Sequence, residues 1–231
     1  MRNRTRTLTR WIREDRGVAT SLIEAITVIA IISIVAAVAT STSADRLEDG
    51  RWIQADSDLE TLGLAVLSFI QDNGTAPAFK SGRATGAEDE IYRVLETMGE
   101  ASTDGTSSWP AGEGERDLIS HHLVRNLPGG AGETSYPRVG EWDHKRHGGW
   151  NGPYQNRIPS ADPWGGRYLI NVQFLTPQGI GMAREELSLP TGARIAVFAL
   201  SAGPDRTIET DFSQISESFE AGGDDLVFRI H

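Results

Sequence analysis

Few residues in this chain have the type and spacing that chemistry requires. The first is Glu24, a carboxylate near the start of an otherwise oily run, SLIEAITVIAIISIVAAVA (Ser21–Ala39). A charge at the centre of a lipid-spanning helix costs about 2.5–3.5 kcal/mol on insertion scales, and less near an end, so this carboxylate needs a partner. His144 and His147 in WDHKRHGGW, with His121 and His122 upstream, lack both a cysteine to complete a metal set and a helix to bring them to one face. They read as polar surface loop. Ser107, Ser108 and Ser160 sit in no nucleophile elbow, and no glycine-rich phosphate loop occurs. The absence of cysteine excludes thiolate chemistry and a disulfide framework. Nothing indicates catalysis, and the chain reads as a non-enzyme. Carboxylates gather once more near the C-terminus, in FALSAGPDRTIETDF and AGGDDLVFRI, where an acidic loop closing on itself is self-repelling.

The elements around these residues follow from periodicity. Residues 22–39 are apolar but for Glu24, Thr27 and Ser33. As a helix they cover about 27 Å, close to a hydrocarbon core of about 30 Å. In DSDLETLGLAVLSFIQDNG, Leu59, Leu62, Val66, Phe69 and Ile70 recur at spacings of three and four, one face of an amphipathic helix that stops at Asn73-Gly74. The expectation is one long helix from about Thr20 to Asp72, with Gly50 and the Ser/Thr-rich 40–43 stretch as weak points. Residues 74–150 are polar and glycine-rich and read as a surface insertion, with helices in EDEIYRVLETMGE and ERDLISHHLVRNL. Beyond it GRYLINVQFL, ARIAVFALS and DLVFRI, rich in β-branched and aromatic residues, read as strands.

Charge divides the chain sharply. The net charge is −10 over 231 residues, yet the six arginines before Ala19 outnumber Glu14 and Asp15 and make that arm +4, leaving −14 for the rest. An acidic body excludes nucleic acid as a partner, because neutralising phosphates needs a basic surface. A basic arm before an apolar run places the arm in the cytoplasm and sends the body across. The small-residue stretch ATSTSA (Ala39–Ala44) offers the other possibility, a secretory signal cut near Ala44.

The basic arm, a small residue, TSLIEAITVIAIISIVAA and the amphipathic helix together resemble the N-terminus of type IV prepilins and type II secretion pseudopilins. The resemblance implies a leader, residues 1–19, removed by a prepilin peptidase between Ala19 and Thr20, with Glu24 at mature position five. The family usually has Gly before the cut and Phe after it; cleavage after Gly17 would place Glu24 seventh. The proline frequent midway along the family's helix is replaced by Ser41. In the filament the family pairs this glutamate with the N-terminal amine of a neighbouring subunit, which makes it a registry device, since a buried ion pair is strong only when complete.

NGPYQNRIPSADPWGGRYLI narrows the resemblance to the major pseudopilin of type II secretion, through Gly152, Pro153, Tyr154, Pro159, Asp162, Pro163, Trp164, Gly165 and Tyr168. Asp-Pro-Trp-Gly is a turn whose Trp can anchor it to the helix. Related pseudopilins enclose a calcium ion between two C-terminal segments. Carried over, the ligands are Asp205, Asp224 and Asp225, with backbone oxygens near Leu200 and Ser201 and with Glu209 and Asp211 as substitutes or additions.

The resemblance thus implies an α+β pilin fold. Its long helix is transmembrane over 20–40 and amphipathic over 41–73, and packs on a small antiparallel sheet; a variable insertion spans 74–150, and the sheet and calcium loop span 151–231. The implied function is a structural subunit, anchored by a single pass in the inner membrane with its body in the periplasm. It would assemble with itself, minor pseudopilins and an inner-membrane platform into a pseudopilus that drives protein export. A type IV pilus subunit is the alternative, followed by an anchored or secreted calcium-dependent binding protein.

Overall fold

The computed structural model describes residues 5–82, 90–106, 108–132, 135–138, 148–188 and 192–230, and the side chains of these except 5–20, 37–45 and 187. Two units are distinguished, Met1–Gly50 and Arg51–His231. Helix α1, Thr5–Asn73, makes up the first and opens the second, so it begins well before Thr20 and ends where the Asn73-Gly74 stop predicts.

In the first unit every described side chain from Ser21 to Ala36 is exposed, including Leu22, Ile26, Ile29, Ile32 and Val35. Thr27 and Ser33 turn their hydroxyls back onto the carbonyls of Ile23 and Ile29, each at 2.8 Å. Among the described residues no helix is long and apolar enough to cross a membrane. This overturns the transmembrane half of the expected fold and the single-pass inner-membrane placement. The physical reason is composition: Glu24, Thr27 and Ser33 interrupt the apolar run, and the polar stretch Thr40–Ser43 closes it.

The second unit is built on a sheet that is mixed rather than antiparallel, a second correction. Its strands are β1 (Val94–Glu96), β3 (Arg116–Leu118), β4 (Leu169–Ile170), β5 (Phe198–Ser201) and β7 (Leu226–Arg229), in the order β3-β1-β4-β5-β7. Strands β1 and β3 run parallel, Val94 opposite Arg116, while β1/β4, β4/β5 and β5/β7 are antiparallel. A separate parallel pair joins β2 (Thr103–Asp104) to β6 (Thr207–Ile208).

Strands β1, β2 and β3 all come from the stretch read as a surface insertion. Ile91–Glu96 forms no helix: Val94–Glu96 is strand, with Val94 and Leu95 both buried, and the amide of Arg93 donates to Glu115 O at 2.7 Å. Downstream only Ile119–Leu123 (α2) is helical, because Arg116–Leu118 is taken up by the parallel ladder. A third helix, α3 (Pro177–Leu187), starts on Thr176, whose hydroxyl accepts from Gly179 N at 3.0 Å, with Pro177 in its first turn.

The core joins the inward face of α1 to the sheet. Leu59, Leu62, Val66 and Phe69 are fully buried, as their spacing predicts, in one cluster with Leu95, Ile170, Phe198 and Leu200. The helix approaches β7 closely at Gly63, where a Cβ would overlap the Phe228 ring. Gly63→Ala gains about 1 kcal/mol of helix propensity and loses about 1–3 kcal/mol to displacement of that ring. A net loss of up to about 2 kcal/mol in urea unfolding is expected; a stabilised variant would show that the ring moves aside freely.

Candidate metal centre

The turn 162–166 positions the C-terminal half. Asp162 Oδ1 accepts from Trp164 N at 3.0 Å and Gly166 N at 2.7 Å, and Gly165 takes φ +90°. Its other oxygen accepts from Ser201 Oγ at 2.7 Å, tying the turn to the end of β5. Trp164 meets Trp52 edge-on at 5.2 Å, and Tyr168 donates to Asp58 at 2.9 Å, so the turn is anchored to α1 as its tryptophan predicts. Tyr168 is pushed far above the ordinary phenol range, chiefly by burial and then by the charge of Asp58.

Beyond β5 the chain folds into two facing loops. Asp205, Glu209 and Asp224 each bring a carboxylate oxygen within 4.8 Å of the others, an acidic triad that can hold a metal ion. Asp224 and Gly203, whose φ is +62°, lie backbone to backbone; a Cβ at Gly222 would collide with the backbone carbonyl of Glu209, and one at Gly223 with its carboxylate. Neighbouring amides hold the oxygens in place: Thr207 N donates to Asp205 at 2.7 Å and Asp224 N to Glu209 at 3.3 Å.

Of the expected ligands, the structure brings Asp205 and Asp224 together and puts Glu209 where Asp225 was expected. Asp225 faces the other way. Its Oδ2 accepts from Glu209 N at 2.9 Å and Thr210 N at 2.7 Å, shaping the loop. Its Oδ1 is buried and has no hydrogen-bond partner among the described residues. Burial first, and the charge of Glu209 to a lesser degree, push this carboxyl up despite the bonds it accepts. Leu200 and Ser201 lie in the β5/β7 ladder, opposite Val227 and Leu226. Glu24 is exposed on α1 in the first unit. The side chains of Ala19 and Thr20, and the whole of His144 and His147, lie outside the described residues.

The donor set fits a hard cation. Carboxylate oxygens suit calcium or magnesium rather than metals that seek nitrogen or sulfur.

A second polar cluster went unread in the sequence, although DLISHH carries Asp and His four apart. Asp117, buried, accepts from four donors. Leu118 N (2.8 Å) and His121 Nδ1 (2.6 Å) meet one oxygen; His122 Nε2 (2.9 Å) and Gly129 N (2.7 Å) meet the other. His122 Nδ1 in turn meets Tyr136 OH at 2.7 Å. Burial alone would raise the Asp117 carboxyl. The bonds from His122 and Gly129, the charge of His122 and the bond from His121 together outweigh it and bring it down to about 2. Burial pushes His122 down, against the pull of Asp117. The buried ring is thus neutral, with Nε2–H donating and Nδ1 accepting. No open position remains at this carboxylate, and the cluster is a structural knot.

Compared with protein-family models, with curated proteins and with solved structures, the chain matches none of them.

Proposed function

We propose that this chain is a structural filament subunit of the kind that forms a type II secretion pseudopilus, cut by a prepilin peptidase and then assembled with copies of itself. The observation that carries this reading is the helix surface from Ser21 to Ala36. It is apolar on every side and exposed throughout, with one carboxylate, Glu24. A helix hydrophobic all round belongs in a buried environment. Staggered copies of the same helix supply one, and their packing is worth about 25 cal/mol for each Å² of apolar surface removed from water. In such a bundle Glu24 needs a cation, and the new amine of a neighbouring subunit cut before Thr20 meets that need. Minor pseudopilins and an assembly platform are the further partners of this reading.

Calcium is the ion proposed for the acidic triad. It takes six to eight oxygen ligands from flexible loops, and Asp205, Glu209 and Asp224 contribute three carboxylates. Neutralising them holds together two loops that otherwise repel.

The test joins the mature N-terminus to assembly. Mass spectrometry in cells with and without a prepilin peptidase is expected to find a methylated N-terminus at Thr20 that disappears without the enzyme. Glu24→Gln is expected to abolish filaments seen by electron microscopy of sheared cells. A start near Ala44, or an intact Met1 in both strains, would sink the filament reading.

A further inference from the structure

Asparagine followed by glycine occurs twice in the chain, at Asn73-Gly74 and Asn151-Gly152. The pair is self-reactive, because glycine has no side chain to shield its amide nitrogen from the carboxamide before it. The fold treats the two sites differently. Asn73 Nδ2, the nitrogen that would have to leave, donates to Phe69 O at 2.9 Å and to Tyr154 OH at 3.0 Å. The attacking amide there, Gly74 N, donates to Ile70 O at 2.8 Å. Asn151 is exposed, and neither its carboxamide nor Gly152 N has a hydrogen-bond partner among the described residues. Packing also demands the glycine: a Cβ on Gly152 would stand 2.7 Å from Trp150 Cζ2 and 2.9 Å from Tyr154 N. The residues on either side are tightly held. Trp150 donates from N to Pro137 O at 2.7 Å and from Nε1 to His122 O at 3.2 Å. Tyr154 N donates to Leu123 O at 2.9 Å, its hydroxyl accepts from Asn151 N at 3.0 Å, and its ring meets Phe69 on α1.

We propose that Asn151 is a site of spontaneous covalent modification, converted through a succinimide to isoaspartate, and that the conversion loosens the brace Tyr154 makes with α1. Base removes the proton of Gly152 N, and that nitrogen attacks Cγ of Asn151. The carboxamide nitrogen takes up a proton and leaves as ammonia, closing a five-membered imide. Water then opens the ring at one of its two carbonyls. Attack at Cγ gives aspartate; attack at the main-chain carbonyl breaks its bond to Gly152 N and gives isoaspartate. The net change is water consumed and ammonia released, with no oxidant or reductant. Isoaspartate routes the main chain through Cβ and Cγ, one carbon longer, and leaves a free carboxylate in solvent. Trp150 and Tyr154 are both anchored, so the extra carbon has no slack on either side to absorb it. The hydroxyl of Tyr154 must then give up Asn151 N or Asn73 Nδ2, and the latter is the tie to the end of α1.

The full chain, aged in mildly alkaline buffer and sampled over days by peptide mass spectrometry, tests this. The peptide bearing Asn151-Gly152 is expected to gain about 1 Da and to accept a methyl group from S-adenosylmethionine under a protein isoaspartyl methyltransferase. The peptide bearing Asn73-Gly74 is expected to change at least about tenfold more slowly, because its hydrogen bonds must open first. Asn151→Gln, whose longer side chain has to close a larger ring, is expected to stop the gain at that position alone. Hydrogen exchange over 152–156 is expected to be at least about threefold faster in the aged protein than in the fresh one. Asn151→Asp, which brings the charge without the extra carbon, is expected to exchange like the fresh wild type. Equal rates at the two asparagines, or no gain at Asn151 in the folded chain when the chain unfolded in urea shows one, overturns the site. Unchanged exchange in the aged protein overturns the loosening.

Discussion

Alanine in place of Asp117 is expected to lower the unfolding free energy by about 3–5 kcal/mol, the range for removing one partner of a buried charged network. Four donors converge on that carboxylate, and its loss strands two backbone amides and two imidazoles in the interior. Asp117→Asn is expected to cost less, since the amide keeps one acceptor and sets its NH2 group against donors. The wild type carries a matching pH signature. The carboxyl is held at about 2 in the folded state against 3.8 ordinarily, so its contribution is fully present above pH 4 and is lost as pH falls from about 4 to about 2. That loss amounts to about 2 kcal/mol. His122 acts in the same direction at milder pH. With its folded value below 6.5, the unfolded chain takes up the proton first, and stability declines as pH drops through 6.5. Urea unfolding from pH 7 to pH 2 reads both; in Asp117→Ala the lower step is absent. A cost under about 1 kcal/mol would show that water replaces the lost acceptor and that the knot does not hold the fold.

Phe69→Ala comes next, with an expected loss of about 3–5 kcal/mol. Phe69 is fully buried on α1 and meets Tyr136 at 4.7 Å and Tyr154 at 5.4 Å, both edge-on. The cavity would open where α1 meets the 135–138 and 148–154 segments, and the two tyrosines that face it are tethered by their hydroxyls, Tyr136 to His122 and Tyr154 to Asn73. Tyr136 is further fixed at both backbone groups, N–H to Asn126 Oδ1 at 2.8 Å and C=O from Asn126 Nδ2 at 2.9 Å. Phe69→Leu keeps most of the volume and is expected to cost under about half as much. If alanine proved as mild as leucine, the aromatic seam would be collapsible and the helix held by the sheet alone.

What could be read in the sequence follows the range of the interactions involved. The buried face of α1 was legible because Leu59, Leu62, Val66 and Phe69 repeat with the helix's own period, and the Asp162 turn because its residues bond to one another within five positions. Strands β1 and β3 were not, since each is three residues long and pairs with partners far along the chain, overriding a composition that favours helix. At the metal centre, Asp205 and Asp224 were legible as loop carboxylates. Glu209 was legible as a substitute, but not that it, rather than Asp211, would stand in for Asp225. Adjacent residues point to opposite sides, and which of 224 and 225 faces the triad depends on Asp225 clasping the amides of Glu209 and Thr210. The Asp117 knot was passed over because Gly129 and Tyr136 join it only after the chain has turned back.

The order in which the body is completed has a consequence for how the chain is made. The apolar face of α1 is complete by residue 73, but β4, β5 and β7, which share its core, end at residues 170, 201 and 229. At synthesis rates of about 5–20 residues per second, Leu59, Leu62, Val66 and Phe69 wait about 10–30 s for their cover. During that interval the nascent chain displays a sticky helix ahead of every strand that will bury it. A holding chaperone that grips short apolar helices is the natural companion of such a chain, and slow translation over residues 74–229 would lengthen its dependence on one.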